Sequence, residues 1–397
     1  MKNNTVRIFE IPVNDLGNDY DTLYYAPLSR RISVFPIEET DDDILPVSIN
    51  SISNLRKMSV LPNHKCNFNC SYCYAAQGRN NEELTEETVT KALDFFIDRN
   101  RINRPLSLSI LGGGEPVLSW AVTRQTIEYA RERASLEGLH IEITLVTNAS
   151  IVNDEIIQSV KNNDVIVNAS FDLTEDAQNA QRKNFAVVKE NISKLSESGV
   201  YTTINSTITP MNVSDMVKMV ESAHEWFPKV KYMIFEPVIA SSLFTSVIEL
   251  RSFYENFLSN FNSASEKARQ FGMDLTCRIL KSLDSPTDRG CEGRFNLCPN
   301  GDVTICYCTA SKNDPNFENR IFGKIDHTGI RFYEERFKRI CEENVYSKNK
   351  CLNCFAKFNC AGGCMLPNDR YSEQYLEELC KFNREFIRRE LFKRVAK

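Results

Sequence analysis

The hydrophobic and polar positions between residues 57 and 240 alternate between two patterns. Continuous apolar or β-branched runs, typical of parallel strands covered on both faces, occupy 58–61, 106–111, 140–147, 165–171, 200–208 and 231–236. Amphipathic segments that predict helices lie between them, at about 85–100, 119–137, 153–162, 184–198 and 212–226. Thr85 before two glutamates, and Ser214 before Asp215, suit helix starts. The alternation predicts an α/β fold with a parallel sheet, whose functional residues collect at the carboxyl ends of the strands.

Outside this region the pattern changes at both ends of the chain. Shorter β-like runs separated by turn residues lie at 6–11, 22–25 and 32–35. The acidic stretch 38–43 predicts a linker. This N-terminal segment either binds a peptide by strand addition or only covers one end of the main domain. Helical patterns follow much later, at about 245–271 and 372–397.

Composition and charge exclude several classes of partner. The 48 lysines and arginines against 53 aspartates and glutamates give a net charge of −5, without a long basic run. Phosphate binding needs clustered basic residues, so nucleic acid is not an expected partner. The apolar segments are far shorter than the ~20 residues that span a bilayer. The N-terminus lacks the apolar core of a signal peptide, so no membrane partner is expected either.

Fourteen cysteines without an export signal argue against a disulfide scaffold. In a reducing cytoplasm, which is the predicted location, soft thiolates bind iron or zinc. Eleven of the fourteen lie beyond residue 276, which marks a second, cysteine-rich domain. The predicted organisation is an N-terminal β segment 1–45, a barrel 57–240, a bridging region 241–285, a cysteine-rich domain 286–385 and a C-terminal helix 386–397.

The densest cysteine motif is Cys66-x3-Cys70-x2-Cys73, directly after the first predicted strand. A loop this short can direct three thiolates at one cluster, and a cubane of four irons would keep one iron without a protein ligand. A chelating substrate needs such a vacant position. The alternative is a zinc knuckle with His64 as the fourth ligand.

A glycine run, Gly112–Gly114 followed by Glu115, ends the second predicted strand. Glycines allow close approach of the backbone to a ligand, and exposed amides and carbonyls can bind a small zwitterion. A tight strand-to-helix turn explains the same run equally well.

The spacing of Cys66, Cys70 and Cys73 resembles the signature of the radical S-adenosylmethionine (radical SAM) enzymes. The six βα units resemble their open, partial (β/α)6 TIM-like barrel. The resemblance implies a 4Fe–4S cluster on these cysteines and S-adenosyl-L-methionine (SAM) as a cofactor. It also implies that Gly113, Gly114 and Glu115 bind the amino group of the SAM methionine, and that Tyr72 lies near the adenine.

Further SAM contacts are implied at the ends of later strands. Ser170 and Asp172 match the place where the family binds ribose and carboxylate, and Arg182 the place where relatives hold the SAM carboxylate. Weaker matches are Asn205 and Glu236. The family usually has glycine after the aspartate, whereas this chain has leucine. Turn capping or helix starting is an open alternative role for each of these polar residues.

A second cysteine pattern resembles the SPASM extension of radical SAM enzymes. It reads Cys291-x9-Gly301-x4-Cys306, then Cys351-x2-Cys354-x5-Cys360-x3-Cys364, then Cys380. The resemblance implies two auxiliary 4Fe–4S clusters, and thus three clusters in all. Cluster I would use Cys291, Cys306 and Cys364; cluster II would use Cys351, Cys354, Cys360 and Cys380. A zinc ribbon on Cys351, Cys354, Cys360 and Cys364 is the alternative that the spacing leaves open.

Cluster I then has only three assigned ligands. Ser285 stands six residues before Cys291, where sulfatase maturases have a further ligand. The unassigned thiols are Cys277, Cys298, Cys308 and Cys341. We expect an open iron that could hold a substrate thiolate, in preference to a fourth ligand from the spare thiols. Cys306 and Cys308 would share one face of an extended strand.

The resemblance implies a maturase of ribosomally made peptides with an α/β fold: a partial (β/α)6 barrel, a small C-terminal SPASM domain and a short N-terminal β segment. A 5′-deoxyadenosyl radical would take hydrogen from a precursor peptide, leading to a thioether or carbon–carbon crosslink. Flavodoxin or ferredoxin would donate electrons. The alternatives are a protein dehydrogenase resembling sulfatase maturases, and a non-catalytic zinc or iron–sulfur module.

Overall fold

The computed structural model of the chain describes residues 7–17, 20–41, 45–46 and 49–395. The N-terminal segment forms an antiparallel sheet in the order β1-β2-β3. Its strands are β1 (Phe9–Pro12), β2 (Thr22–Ala26) and β3 (Arg31–Ser33). The β-like runs predicted here are confirmed in position, except that residue 6 lies outside the described residues. Residues 42 and 43 of the predicted linker also lie outside them.

The main sheet has eleven strands, and its first seven are parallel, as the alternating pattern predicts. These are β4 (Lys57–Val60), β5 (Leu106–Ile110), β6 (Ile141–Thr147), β7 (Val165–Ser170), β8 (Thr202–Ile208), β9 (Tyr232–Pro237) and β10 (Asp274–Thr276). The six predicted strands correspond to β4–β9. The short strand β10, which was not predicted, pairs in parallel with β9 and extends the barrel by one strand.

Helices cover the outer side of these strands. They are α1 (Glu86–Phe96), α2 (Trp120–Glu137), α3 (Asp154–Asn162), α4 (Glu175–Gln181), α5 (Phe185–Glu197), α6 (Met216–Trp226) and α7 (Val247–Gln270). Thr85 caps α1 by accepting a hydrogen bond from the Thr88 amide, as expected of a helix start. The short polar helix α4 was not predicted. Apolar side chains of α1 and of strand β5, including Leu93, Phe96 and Leu108, are fully buried and form the core between the two layers.

The cysteine-rich part continues the same sheet. Strand β11 (Phe295–Leu297) pairs in parallel with β4, and the antiparallel strands β12 (Asp302–Thr304), β13 (Ile321–Asp326) and β14 (Gly329–Phe332) follow. This pairing sets the cysteine-rich hairpin beside the strand that leads to Cys66. The short helices of this part are α8 (Arg278–Lys281), α9 (Phe317–Arg320), α10 (Glu334–Glu342), α11 (Lys357–Cys360) and α12 (Met365–Arg370).

The last helix, α13 (Glu373–Val395), packs along α7. Phe382 stacks on Tyr254 with 4.5 Å between the ring centres, and Glu378 accepts both guanidinium bonds of Arg251. The N-terminal sheet lies against this region, because the Tyr25 hydroxyl donates to Asn359 at 2.9 Å. Within the described part of the chain, no helix is both long and apolar enough to cross a membrane.

Candidate functional site

Three cysteines lie on the long loop between β4 and α1. The Cys73 amide donates to the Cys70 carbonyl at 3.2 Å, and the Phe68 amide donates to the Cys66 sulfur at 3.4 Å. Phe68 is buried in the core and holds the middle of the loop. Burial raises the pKa of the Cys66 and Cys70 thiols, and Cys73 nearby raises it further. The structure therefore brings the three predicted ligands together.

Two polar side chains reach these sulfurs from neighbouring segments. Arg79 Nη2 lies 3.7 Å from the Cys73 sulfur, and Asn148 Nδ2 lies 4.0 Å from the Cys66 sulfur. Hydrogen-bond donors and positive charge favour the thiolate, which is the form of cysteine that binds metal. Iron that binds these partly buried thiols must still displace protons from them.

Gly113 and Gly114 bring the backbone after β5 against the start of the cysteine loop. A Cβ at Gly114 would lie 1.9 Å from the Lys65 carbonyl oxygen, and one at Gly113 would lie 2.3 Å from His64 Nδ1. Contacts this close are possible only for residues without a side chain. The Glu115 amide then donates to the Lys65 carbonyl at 2.6 Å. The glycine run therefore allows two backbone segments to touch, which a tight turn alone would not require.

The Glu115 carboxylate is 3% exposed and joins the glycine run to β6. It accepts hydrogen bonds from Thr147 Oγ1 at 2.6 Å, from the Asn148 amide at 2.7 Å and from the Val117 amide at 3.2 Å. Burial raises the pKa of Glu115, whereas these donors lower it. A carboxylate has about four acceptor positions. One position therefore remains for the amino group that the prediction assigns to Glu115.

Tyr72, Asp172 and Arg182 form one hydrogen-bonded group at the carboxyl end of β7. The Tyr72 hydroxyl donates to Asp172 Oδ2 at 2.9 Å and accepts from Arg182 Nη1 at 3.0 Å. Burial opposes the charge on Arg182, but Tyr72 and Asp172 together raise its pKa above the usual value. The structure brings these three predicted residues together. The Tyr72 hydroxyl links Asp172 to Arg182. The predicted contact of Tyr72 with the adenine would need only its aromatic ring.

The turn after β7 explains the leucine that replaces the family's glycine. Leu173 has a φ of 59°, in the left-handed region that favours glycine, and its side chain is fully buried. The turn therefore keeps a glycine-like backbone, and burial of the side chain offsets the strain. Ser170 ends β7 and pairs in register with Asn205 of β8, so these two predicted residues are neighbours.

Glu236 lies at the end of β9, opposite Thr207 in the strand register. Its carboxylate accepts a hydrogen bond from the Arg278 amide at 2.6 Å. Burial raises the pKa of Glu236, and Arg278 lowers it. The carboxylate is thereby tied to the start of α8, beside the C-terminal cysteines, and this contact fits the capping role that the sequence left open.

Cys291, Cys306 and Cys364, called auxiliary group I below, come from three separate segments. A Cβ at Gly290 would lie 2.0 Å from the Gly363 carbonyl oxygen, so glycine allows the segments before Cys291 and Cys364 to touch. Burial raises the pKa of the Cys364 thiol to about 11, and Cys306 and Cys291 contribute to the increase. The three predicted ligands of cluster I are therefore neighbours.

Auxiliary group II below is the set Cys351, Cys354, Cys360 and Cys380. Cys351 and Cys354 precede α11, Cys360 is its last residue, and Cys380 lies on α13. The Cys354 amide donates to the Cys351 carbonyl at 3.2 Å, and Asn383 Nδ2 donates to the Cys360 sulfur at 3.4 Å. Burial raises the pKa of Cys360 to about 11, and the thiols of Cys380, Cys354 and Cys351 contribute. The four predicted ligands of cluster II are likewise neighbours.

This grouping differs from that of a zinc ribbon, in which Cys364 would join Cys351, Cys354 and Cys360. The thiols that most affect the pKa of Cys364 belong to auxiliary group I. Among the residues that the structure describes, no three His, Cys, Asp or Glu side chains converge closely enough to hold one metal ion. The thiolates of a 4Fe–4S cluster bind separate irons and do not need that convergence.

His64 has a structural role that its position two residues before Cys66 did not indicate. It is 1% exposed, and neither ring nitrogen has a hydrogen-bond partner among the described residues. Burial lowers its pKa, so the imidazole is neutral at pH 7. Its Nδ1 faces Gly113, and its Nε2 lies 3.9 Å from Glu82. The ring packs against the glycine run, whereas a zinc-knuckle ligand would bind the metal together with the cysteine sulfurs.

Arg278 is a second residue that sequence reasoning missed. Removal from water opposes the charge of its guanidinium, but Cys364, Cys360 and Glu236 raise its pKa overall. A positive charge thus lies between auxiliary groups I and II. A single arginine after a short strand carries no motif, so only the tertiary structure reveals this position.

Residues 60–223 match the sequence profile of the Radical SAM superfamily. The matched segment contains the cysteine loop, the glycine run and the group formed by Tyr72, Asp172 and Arg182. This match shows that residues 60–223 of the chain form a domain of the Radical SAM superfamily.

Two curated proteins are similar to the chain in sequence. One is the uncharacterized protein MJ0907 of Methanocaldococcus jannaschii, 26% identical over 121 residues, which are 30% of this chain and 40% of that protein. The other is the radical SAM cyclopropyl synthase TigE of Paramaledivibacter caminithermalis, 21% identical over 357 residues, 80% of this chain and 69% of that protein. The chain thus spans less than half of the first relative and about two thirds of the second.

Solved structures extend the likeness to the whole architecture. The chain superposes on anSMEcpe with bound AdoMet at a TM-score of 0.66 and 19% identity, covering 85% of this chain and 98% of that one. On Streptococcus suis SuiB bound to the precursor peptide SuiA, the TM-score is 0.59 at 14% identity, covering 81% and 75%. This confirms the predicted fold: a partial radical SAM barrel followed by a cysteine-rich, antiparallel C-terminal region.

Proposed function

We propose that this protein is a radical SAM maturase that modifies a precursor peptide by installing a thioether or carbon–carbon crosslink. One observation carries the proposal. Three chemically different groups meet at the carboxyl edge of the sheet: the cysteine loop, the Glu115 carboxylate and the Arg182 guanidinium with its partners. They provide thiolates for a cluster and opposite charges for the two ends of an amino acid moiety.

When bound, a 4Fe–4S cluster on Cys66, Cys70 and Cys73 would supply the electron that cleaves SAM to a 5′-deoxyadenosyl radical. The protein's own task is to bind and orient. In this proposal Arg182, whose charge Tyr72 and Asp172 favour, binds the SAM carboxylate, and the free acceptor position of Glu115 binds the amino group. Gly113 and Gly114 leave the room that such a ligand needs.

A peptide substrate is supported by likeness in fold to SuiB, which was solved with the precursor peptide SuiA, and to anSMEcpe, which was solved with AdoMet and the Cp18Cys peptide. In the proposal, auxiliary groups I and II hold two further 4Fe–4S clusters, which accept the electron released when the crosslink forms. Flavodoxin or ferredoxin is the proposed electron donor.

The N-terminal sheet is the proposed site of peptide pairing. Its outer strands β1 and β3 each have one neighbour within the sheet, so either could accept an added strand. Buried Phe9, Ile11 and Leu23 hold the sheet in the core shared with α13. The sheet therefore also covers this part of the domain, and only a binding measurement separates the two roles.

The test begins with anaerobic reconstitution of the full chain with iron and sulfide. We expect release of 5′-deoxyadenosine from SAM, and loss of this activity when Cys66, Cys70 and Cys73 are all replaced by Ala. The Cys341→Ala variant is the matched control, because Cys341 lies on α10 outside the three thiol groups. Absence of 5′-deoxyadenosine from the iron-loaded wild-type protein would refute the proposal.

The second candidate is the protein dehydrogenase that the sequence left open. The chain shares its fold with anSMEcpe as well as with SuiB, but Ser285 stands where sulfatase maturases have a further ligand. Both reactions remove two hydrogens from the peptide. A crosslink joins two residues, so tandem mass spectrometry gives no backbone fragments between them, whereas a dehydrogenated residue leaves the fragment series complete. Co-expression with a candidate precursor peptide therefore decides between the two.

A further inference from the structure

The segment after β12 turns where an extended strand was expected. The Thr309 amide donates to the Cys306 carbonyl at 3.0 Å, which closes a turn over residues 306–309. Within this turn the thiols of Cys306 and Cys308 are close enough to affect each other's pKa. The expectation that an extended backbone aligns the two side chains is therefore wrong, but the turn brings the sulfurs together by a different route.

The surroundings of Cys308 are those of auxiliary group I. Its side chain is 7% exposed, and it lies in the same core cluster as Cys306, with Cys364 packed against that cluster. Arg370 also lies near the Cys308 thiol, and its Nη2 donates to the Tyr74 carbonyl at 2.8 Å. Cys306 and Cys364 also lie near the Cys308 thiol, so Cys308 has the neighbours of a ligand in auxiliary group I.

The other three unassigned thiols have different neighbours. The Cys298 sulfur lies 3.7 Å from Thr304 Oγ1 and 3.9 Å from the Asn296 carbonyl, within the β11–β12 hairpin. Cys277 is fully buried in the other large core cluster, next to the start of α8. Cys341 lies on α10, near Arg289. Of these four thiols, Cys308 is the one that shares a turn with a member of auxiliary group I, Cys306.

We propose that Cys308 is the fourth thiolate of auxiliary cluster I, together with Cys291, Cys306 and Cys364. This inference rests on the proposed function, in which auxiliary group I holds a 4Fe–4S cluster. To bind separate irons, the Cys306 and Cys308 sulfurs must move apart, which rotation of Cys308 about χ1 between staggered positions allows. Binding as a thiolate releases the proton of Cys308. A complete set of four ligands leaves no open iron for a substrate thiolate, contrary to the expectation from the sequence.

The experiment compares full-length wild-type protein with Cys308→Ala and with Cys298→Ala, all reconstituted anaerobically. Cys298 is a matched control because it is a buried cysteine only ten residues before Cys308, in the β11–β12 hairpin and outside auxiliary group I. We expect Cys298→Ala to keep some twelve irons, whereas Cys308→Ala loses one to four of them. Electron paramagnetic resonance of the oxidised Cys308→Ala protein should show a three-iron cluster if only one iron leaves.

Each result bears on the proposal. Twelve irons and no three-iron signal in Cys308→Ala would overturn the assignment of Cys308 while leaving the proposed function intact. A wild-type protein with only about four irons would overturn the auxiliary clusters and Cys308 together. If Cys308→Ala does not fold, Cys308→Ser replaces it: oxygen ligation should change the resonance spectrum of cluster I, and an unchanged spectrum would refute ligation.

Discussion

Tyr74 packs edge to face against Tyr307, with 6.0 Å between the ring centres and 68° between the ring planes. Tyr74 directly follows Cys73, and Tyr307 lies between Cys306 and Cys308. Aromatic pairs in this arrangement contribute about 0.5–1.5 kcal/mol beyond the area that they bury. The pair therefore joins the cysteine loop of the barrel to the turn that carries Cys306 and Cys308.

We predict that Tyr74→Leu exposes auxiliary cluster I to solvent and oxygen. The iron–sulfur absorbance of the reconstituted variant should bleach several-fold faster in air than that of the wild type. Tyr74→Phe is the matched control, since it keeps the ring and loses only the hydrogen bond from its hydroxyl to the Gly112 carbonyl at 3.3 Å. Equal bleaching rates for the wild type and both variants would show that the pair does not protect the cluster.

Tyr72→Phe should weaken SAM binding without unfolding the barrel. The variant loses the hydroxyl that links Asp172 to Arg182. Hydrogen bonds to charged groups contribute about 1.5–3 kcal/mol, so the SAM dissociation constant should rise about 10- to 100-fold. Isothermal titration calorimetry measures it, with Tyr201→Phe as the control because Tyr201 is 61% exposed. An unchanged constant would mean that Asp172 and Arg182 hold SAM without Tyr72.

Leu173→Gly tests whether backbone strain or core packing dominates at the turn after β7. Glycine would relieve a left-handed backbone that costs roughly 1–2 kcal/mol for other residues. The same change removes a fully buried leucine side chain, which costs about 2–5 kcal/mol. Because the lost packing is on average larger than the relieved strain, the free energy of unfolding should fall by up to about 4 kcal/mol. Urea denaturation measures the change, and a stabilised variant would mean that backbone strain dominates at Leu173.

The sequence predicted those parts of the fold whose signal is local. Strands β4–β9 and the long helices show continuous apolar runs or helical periodicity, and their observed bounds lie within a few residues of the prediction. Helix α4 was missed because Glu175–Gln181 contains only two apolar residues, both alanine. The pairing of β11 with β4 was missed because it joins segments more than 200 residues apart in the chain.

The candidate site likewise has features that were predictable from local sequence and features that were not. Cysteine spacing pointed to candidate ligands because each motif lies within a short stretch of sequence, whereas the division of the C-terminal cysteines into two sets came from the family resemblance and stays a prediction. The hydrogen bond between Tyr72 and Asp172 joins residues one hundred positions apart, and the contact of His64 with Gly113 depends on how two loops approach. Neither contact could be predicted from the sequence around either residue.

The auxiliary clusters should retain their iron better at high pH than at neutral pH, because the thiol ligands have raised pKa values. Burial raises the pKa of Cys360 and Cys364 to about 11, so protons compete with iron throughout the neutral range. Raising the pH from 7 to 9 should slow the removal of iron from the auxiliary clusters by a chelator. The control is the Cys66, Cys70 and Cys73 triple Ala variant, in which only auxiliary iron remains. Faster loss at pH 9 would contradict proton competition.

Gly113→Ala should destabilise the protein through one identifiable contact. The new methyl group would lie 2.3 Å from His64 Nδ1, well inside van der Waals contact, so the buried imidazole must shift. Overpacking of this kind typically costs about 1–3 kcal/mol. Thermal unfolding of the reconstituted protein, with Gly272→Ala as the control, measures the effect. Unlike Gly113, Gly272 has a positive φ, of 63°, and a Cβ there would meet nothing within 4 Å, so this variant measures backbone strain without a steric clash.

The double variant Gly113→Ala with His64→Ala decides whether that contact is the cause. Removing the imidazole creates space that the new methyl group can occupy. The effects of the two substitutions on the free energy of unfolding should therefore not be additive. Contacting residues typically show coupling of about 0.5–3 kcal/mol, and we expect the double variant to be more stable than the sum of the single changes predicts. Additive losses would show that alanine at position 113 acts on the backbone of the glycine run and not on His64. SAM titration of the same proteins then shows whether a repacked glycine run still binds the cofactor.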